Sequence, residues 1–350
     1  MLHEDPSPDN AAERQELIDG AAEYAKSCVA RNGALLGRVS TQDVVQDMES
    51  LRVALGEERL TYMGFSYGTF LGAAYADKYP TRVRAFVLDG ALDPSATSDE
   101  RARLQAAGFE RALGQFLTDC DSRQSCAFRG VSGTRARFDA LLARVETKEL
   151  PGKGKRTVGT GETTTAVLAA LYSREFGWPR LARALALADK GDGSGILEMF
   201  DGYVDRNENG SYLNTNDANV AVNCLDASAD RDAAHYDMLA KELIGVSPHF
   251  GSAIAYYGLQ CAAWPLPVRL SPVPHAKGSA PILVVGTTGD PATPYSWAKK
   301  MATDLDNGVL LTYRGEGHTA YIGGPPCIVG AVNRYVVRLE VPAVGTSCAR

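Results

Sequence analysis

Long apolar runs are missing from this 350-residue sequence. Its apolar stretches are short, as in Ile282-Leu283-Val284-Val285. A membrane-spanning helix needs about 20 apolar residues, so no span is expected. An excess of positive charge is missing too: 36 basic against 42 acidic residues leave a net charge of −6, which offers no basic surface to nucleic acid. No two of the seven cysteines have the Cys-x-x-Cys spacing of a zinc site or redox pair. No nucleotide fingerprint or metal-ligand cluster stands out, so neither a cofactor nor a metal is expected. Gly152-Lys153-Gly154-Lys155 and Gly191-Asp192-Gly193-Ser194-Gly195 neither follow a strand nor have P-loop spacing, and they read as exposed loops. The opening Met1-Leu2-His3-Glu4-Asp5-Pro6 lacks the basic start and apolar stretch of a secretory signal. What is present is ordinary: 45% hydrophobic and 22% charged residues fit a globular protein and exclude disorder, collagen and coiled coil.

The order of elements points to an α/β fold. Asn10 to Asn32 reads as a helix stopped by Gly33, and Ser40 or Thr41 caps a second helix that runs to Leu55. Leu60 to Met63 is a short strand, Thr69 to Tyr79 a helix ended by Pro80, and Val83 to Leu88 a second strand. Strand, helix, strand is a βαβ unit, which implies a parallel sheet covered by helices. Strand signals then become scarce. Ser98 to Cys120, Arg135 to Thr147, Thr163 to Asp189 and Ile196 to Val204 read as helices. The α/β pattern resumes with a strand from Pro281 to Gly286, a helix from Pro294 to Leu305, a strand from Gly308 to Tyr313 and a closing helix from Cys327 to Arg338. The expected organisation is a hydrolase-like core in two pieces, 1–94 and 280–350, with a mostly helical insertion at 95–279.

Gly64-Phe65-Ser66-Tyr67-Gly68 fits Gly-x-Ser-x-Gly. It follows a strand and opens a helix, the setting in which the serine sits on a sharp turn and projects above the sheet. The backbone N–H of Tyr67 then becomes an oxyanion donor at a helix N-terminus. A serine alcohol needs a base oriented by a third group, expected here in the chain order serine, acid, histidine. Five histidines are present: His3, His235, His249, His275 and His318. His318 alone lies just past a late buried strand, in Gly315-Glu316-Gly317-His318-Thr319. Gly286-Thr287-Thr288-Gly289-Asp290-Pro291 places Asp290 after the preceding strand, with Pro291 and Pro294 to stiffen its loop. Glu316 is the competing acid. The candidate triad is Ser66, Asp290 and His318.

The cysteines leave two readings open. They are reduced core thiols, or they are disulfides made in an oxidising compartment. Cys120 and Cys126 flank the polar turn Asp121-Ser122-Arg123-Gln124-Ser125, where a local bridge fits. Cys224 with Cys261, and Cys327 with Cys348, are further candidate pairs. Cys28 is then left over.

Gly64 to Gly72, Tyr75-Ala76-Asp77-Lys78-Tyr79-Pro80 and Leu88-Asp89-Gly90-Ala91-Leu92-Asp93-Pro94 together resemble the actinobacterial tripeptidyl aminopeptidases, secreted α/β-hydrolases of the prolyl aminopeptidase group. Gly289-Asp290-Pro291-Ala292-Thr293-Pro294 and Gly315-Glu316-Gly317-His318 match that family's acid and histidine motifs. Ala221-Val222-Asn223-Cys224-Leu225-Asp226, Cys261-Ala262-Ala263-Trp264-Pro265 and the stretch from Cys327 to Cys348 are similar to its cap and C-terminal segments. The resemblance implies an α/β-hydrolase fold with a helical cap, and a serine peptidase that releases short peptides from a free N-terminus. The partner it implies is a peptide or protein N-terminus. An exopeptidase must also neutralise its substrate's ammonium, and Asp226 is the candidate carboxylate, with a surface or helix-capping aspartate as its plainer alternative. The resemblance and the cysteines suggest secretion, whereas a chain that truly starts at Met1 is expected to be cytoplasmic.

The chain departs from the family at its start. Met1 to Arg59 has room for about two βαβ units but reads as two helices. The family's Gly-rich oxyanion segment, its signal peptide and a cysteine to pair with Cys28 are not found there. The expectation is the C-terminal part of a longer protein. Alternatives to an exopeptidase are an inactive fragment that binds peptides at most, and an esterase or lipase, since a triad does not choose between ester and amide.

Overall fold

The computed structural model describes residues 4–349, so His3 lies outside the described residues. The helices and strands run α1 (Ala11–Asn32), α2 (Thr41–Ala54), β1 (Leu60–Phe65), α3 (Tyr67–Lys78), β2 (Val83–Asp89), α4 (Ser98–Ser122), α5 (Thr134–Thr147), β3 (Leu150–Pro151), β4 (Thr157–Val158) and α6 (Thr160–Leu171). They continue with α7 (Gly177–Ala188), α8 (Ser194–Tyr203), α9 (Thr215–Asp226), α10 (Ala233–Ile244), α11 (Gly251–Tyr257), α12 (Leu259–Ala262), β5 (Ile282–Gly289), α13 (Tyr295–Asp304), β6 (Gly308–Glu316), α14 (Pro326–Arg338) and β7 (Ser347–Ala349).

The chain forms two compact units. One comprises Ala34–Gly108, Leu225–Ser228 and Leu266–Arg350. Among the described residues its sheet has the order β1-β2-β5-β6-β7, with every neighbouring pair parallel. The short apolar runs of the sequence are strands buried on both faces. Phe86, Leu88, Ile282 and Val284 point into one core with Phe70, Ala73 and Met301, while Ala85, Val87, Leu283 and Val285 point into the other with Leu311, Ile328 and Val332. That alternation is the two-residue period of a strand with helices on both sides. Fully burying one such Leu, Ile or Phe contributes about 1.5–3 kcal/mol. Ser40 caps α2 in a capping box with Asp43. Cys327 in α14 is bonded to Cys348 in β7, which fastens the last strand to the helix before it.

The other unit comprises Met1–Gly33, Phe109–Cys224 and Ala229–Pro265. Among the described residues it is mostly helical, with a small β3–β4 hairpin, whose turn holds Gly152 and Gly154, and an isolated antiparallel bridge between Arg206 and Tyr212. Cys120–Cys126 and Cys224–Cys261 are disulfides here, and Cys28 is a buried free thiol. Helix α1 packs in this unit through Leu17, Ile18 and Ala21 against Tyr236 and Leu259. Against the expected 1–94, 95–279 and 280–350 organisation, residues up to Gly33 group with the helical unit, and 95–108, 225–228 and 266–279 group with the sheet unit.

The stretch Thr163–Asp189 was expected as one helix and is two, α6 and α7. Pro179 lies in the first turn of α7, where its missing N–H costs nothing; inside a longer helix it would break the ladder. Gly177 makes the corner, because a Cβ there would sit 2.0 Å from the Ala170 carbonyl oxygen. Helices α11 and α12 and strand β7 have no counterpart among the predicted elements because 7, 4 and 3 residues are too short to show a period; α9 and α10, of 12 residues each, were not predicted either.

Candidate active site

Ser66 sits between β1 and α3 at φ 54°, ψ −122°. A positive φ at a residue with a Cβ costs about 1–3 kcal/mol and persists only where the surroundings enforce it. Here they do. Ser66 N–H donates to the Asp89 carbonyl at 3.0 Å, across the β1–β2 pairing. The Thr69 hydroxyl donates to the Ser66 carbonyl at 2.6 Å and accepts from Leu92 N–H at 2.9 Å. Gly64 and Gly68 let the turn close, since a Cβ on Gly64 would lie 2.3 Å from the Gly68 oxygen. A Cβ on Gly72 would collide with Tyr62 and Leu88, so the small residues of α3 bring the helix down onto its strand. Tyr67 is the first residue of α3, where backbone N–H groups have no intrahelical acceptor.

Asp290 follows β5 and His318 follows β6. The His318 Nδ1 lies 2.9 and 3.0 Å from the two Asp290 oxygens. Asp290 also accepts from Ala292 N–H, Thr293 N–H and the Thr293 hydroxyl, each at 2.9 Å, and from Thr319 N–H at 3.3 Å. Thr293 Oγ1 is 3.2 Å from His318 Nδ1 as well. Both side chains of the pair are almost fully buried, so the hydrogen bond operates away from bulk water and is strengthened there. The Asp290 loop is braced by the start of α4: Gln105 donates to the Ala292 carbonyl at 2.8 Å, and a Cβ on Gly108 would touch Pro291 O at 2.6 Å.

Asp89 is hydrogen-bonded to both the Ser66 turn and the loop after His318. The carbonyl of Asp89 holds Ser66, while its buried carboxylate accepts N–H bonds from Ala320 and Tyr321, just beyond His318.

Asp226 is half-buried beside the start of α2. It accepts from Thr41 N–H at 2.9 Å and from the Thr41 hydroxyl at 2.5 Å, and that hydroxyl is also hydrogen-bonded to the Tyr67 phenol. Burial raises the Asp226 carboxyl above its ordinary range, against the pull of Thr41 and Arg101. The remaining described histidines are engaged elsewhere: His235 near Asp230 at 3.8 Å, His249 between Glu110 and Asp139, and His275 on the Asp304 carbonyl. Thr293, Thr69 and the anchoring role of Asp89 were not assigned from the sequence. All three lie in or beside the recognised motifs, but nothing in their spacing tells which loop they hold.

A family model described as TAP-like protein (Abhydrolase_4) matches residues 247–348, the stretch that carries Asp290 and His318. The chain is 34% identical to serine protease Hip1 of Mycobacterium tuberculosis over 363 aligned residues, covering 99% of this chain and 69% of that protein. The chain belongs to the tripeptidyl aminopeptidase-like family of α/β-hydrolases. It is a serine hydrolase, and its sheet and helices are those of an α/β-hydrolase fold. Within the family it is also 36% identical to carboxylesterase B of Mycobacterium tuberculosis, over 93% of this chain and 64% of that protein. Tripeptidyl aminopeptidase of Streptomyces lividans is 29% identical, over 99% of the chain and 65% of the relative.

Proposed function

We propose that this family member is an exopeptidase that removes short peptides from free N-termini, with Ser66 as nucleophile, His318 as general base and acid, and Asp290 as the carboxylate that orients it. The observation that carries the reading is the buried Asp290–His318 hydrogen bond in the sheet unit whose first strand ends at the strained Ser66 turn. Ser66 attacks the scissile carbonyl and gives its proton to His318 Nε2. The Tyr67 N–H stabilises the oxyanion. The amine leaves with the proton from His318, and water then releases the acyl group by the same steps in reverse. Asp290 fixes the imidazole tautomer by accepting from Nδ1–H.

Asp226 is proposed to anchor the substrate's ammonium. Its link through Thr41 to Tyr67 supports this, and each oxygen of a carboxylate accepts more than one hydrogen bond. The three disulfides support an extracellular or other oxidising location, and no helix among the described residues is long and apolar enough to cross a membrane.

The named relatives include a carboxylesterase, so an esterase is the second reading. Chromogenic tripeptide amides with free and blocked N-termini, run beside short-chain esters, separate the two. The exopeptidase reading expects hydrolysis of the free peptide, little of the blocked one, and a raised KM for the free peptide alone in Asp226→Asn. Ester turnover with no amide turnover replaces it with the esterase.

A further inference from the structure

We propose that Asp89 is a positioning residue of the reaction, one that sets the nucleophile turn and the histidine loop in a common frame. Asp89 ends β2 and is fully buried. Its main-chain carbonyl takes the N–H of Ser66 at 3.0 Å. Its carboxylate takes Ala320 N–H on both oxygens, at 3.0 and 2.9 Å, and Tyr321 N–H at 2.8 Å. The next residue, Gly90, has φ +71°, donates to the Val285 carbonyl, and packs so closely that a Cβ would be 3.1 Å from His318 Cε1.

The loop held this way is not one that rests in place by itself. Gly317 has φ +115° and Thr319, which has a Cβ, has φ +67°. Asp290 holds it on one side through His318 and Thr319 N–H. Asp89 holds it on the other through the next two N–H groups. A carboxylate buried in a parallel sheet is a costly way to end a strand. Burial raises its carboxyl to about 6, against the N–H bonds and the nearby His318, which lower it. The cost is understandable where two converging donors need a full acceptor on each oxygen. An amide there would turn an N–H toward a donor.

This proposal rests on the Ser66–His318 reading above. Its test is Asp89→Asn, alone and combined with His318→Ala, in the whole chain. The expected result is a fall in kcat of about 10- to 100-fold, the size that goes with losing hydrogen bonds to a charged group. KM is expected within about twofold, and fluorophosphonate labelling of Ser66 should slow in proportion. In the His318→Ala background, Asp89→Asn should add no further loss, because a residue that acts through His318 has nothing left to position. A folded Asp89→Asn chain with wild-type kcat overturns the proposal alone, as does a loss that persists in full without His318. A His318→Ala chain as active as the wild type overturns both the proposal and the assignment of the base. If Asp89→Asn does not fold, Asp89→Ser, which keeps a small acceptor, is read in the same way. If neither variant folds, Asp89 is a determinant of the fold and the proposal fails.

Discussion

Gly64→Ala is the perturbation whose effect can be worked most closely from the geometry. The added methyl would meet the Gly68 oxygen at 2.3 Å, its carbonyl carbon at 2.6 Å and Tyr62 Cε1 at 2.7 Å. Ordinary contact needs about 3.4 Å or more, so the turn must open by about 1 Å. The nearest obstacle is backbone and cannot rotate away. Tyr62 is pinned as well, because its phenol donates to the same Gly68 carbonyl at 2.8 Å. The shift therefore falls on Ser66 and on the first N–H groups of α3. A displacement of about 1 Å in a reacting group costs about 100-fold in rate, or about 2.7 kcal/mol of barrier. Overpacking adds roughly 1–3 kcal/mol of lost stability. The assay is kcat/KM on a chromogenic substrate together with the fluorophosphonate labelling rate and Tm. Gly202→Ala is the control, since a Cβ there meets nothing within 4 Å; in helix α8 it should be neutral or stabilise by up to about 1 kcal/mol. A Gly64→Ala chain within threefold of wild type in labelling rate, at unchanged Tm, would show that the turn tolerates a Cβ at this position.

Asp290→Asn should lower kcat by about 10⁴ with the fold intact, the usual cost of a mis-set histidine tautomer; near-wild-type kcat with unchanged circular dichroism would exclude Asp290 as the orienting acid. In the helical unit, burial alone would lower the pKa of His249, but its hydrogen bonds to Glu110 at 2.8 Å and Asp139 at 3.0 Å outweigh this and raise it. Its stabilisation is therefore full below the ordinary histidine value of about 6.5 and is lost as pH rises through the higher folded value. Seen from Glu110, burial would raise the carboxyl and His249 outweighs that to lower it, so the same contact also weakens at acid pH as Glu110 protonates. Tm measured from about pH 2.5 to 9 should fall on both sides, the acid loss coming below about pH 4.5 because the Glu110 carboxyl is held below its ordinary value, and His249→Gln should flatten the alkaline side; an identical profile in the variant would contradict this. Replacing Cys327 and Cys348 together by serine frees a loop with a sequence separation of 21. That should cost about 3 kcal/mol, read as a fall in Tm; no fall would contradict a stabilising role for this crosslink.

The readable part of the site was the part that constrains residue type directly. Gly64-x-Ser66-x-Gly68 is legible because no residue with a Cβ fits at Gly64 and because the serine turn needs a strand before it and a helix after it. Asp290 and His318 were legible because each follows a buried apolar strand. Asp89, Thr293 and Thr41 were not, because a carboxylate or hydroxyl serves whichever loop the folded chain brings to it. Helices such as Gly251–Tyr257 and Leu259–Ala262, the latter carrying Cys261 of the Cys224–Cys261 bond, are a turn or two long, and so short a sequence has no period to show. The break between α6 and α7 was visible in Pro179, but the apolar residues on either side made one helix the easier reading.

The most direct test of the central claim is labelling of the 350-residue chain with a fluorophosphonate probe, beside Ser66→Ala, with the modified peptide located by mass spectrometry. The expected result is a covalent adduct on Ser66 that disappears in the variant. A folded chain that takes no label, or one that labels equally after Ser66→Ala, would contradict it.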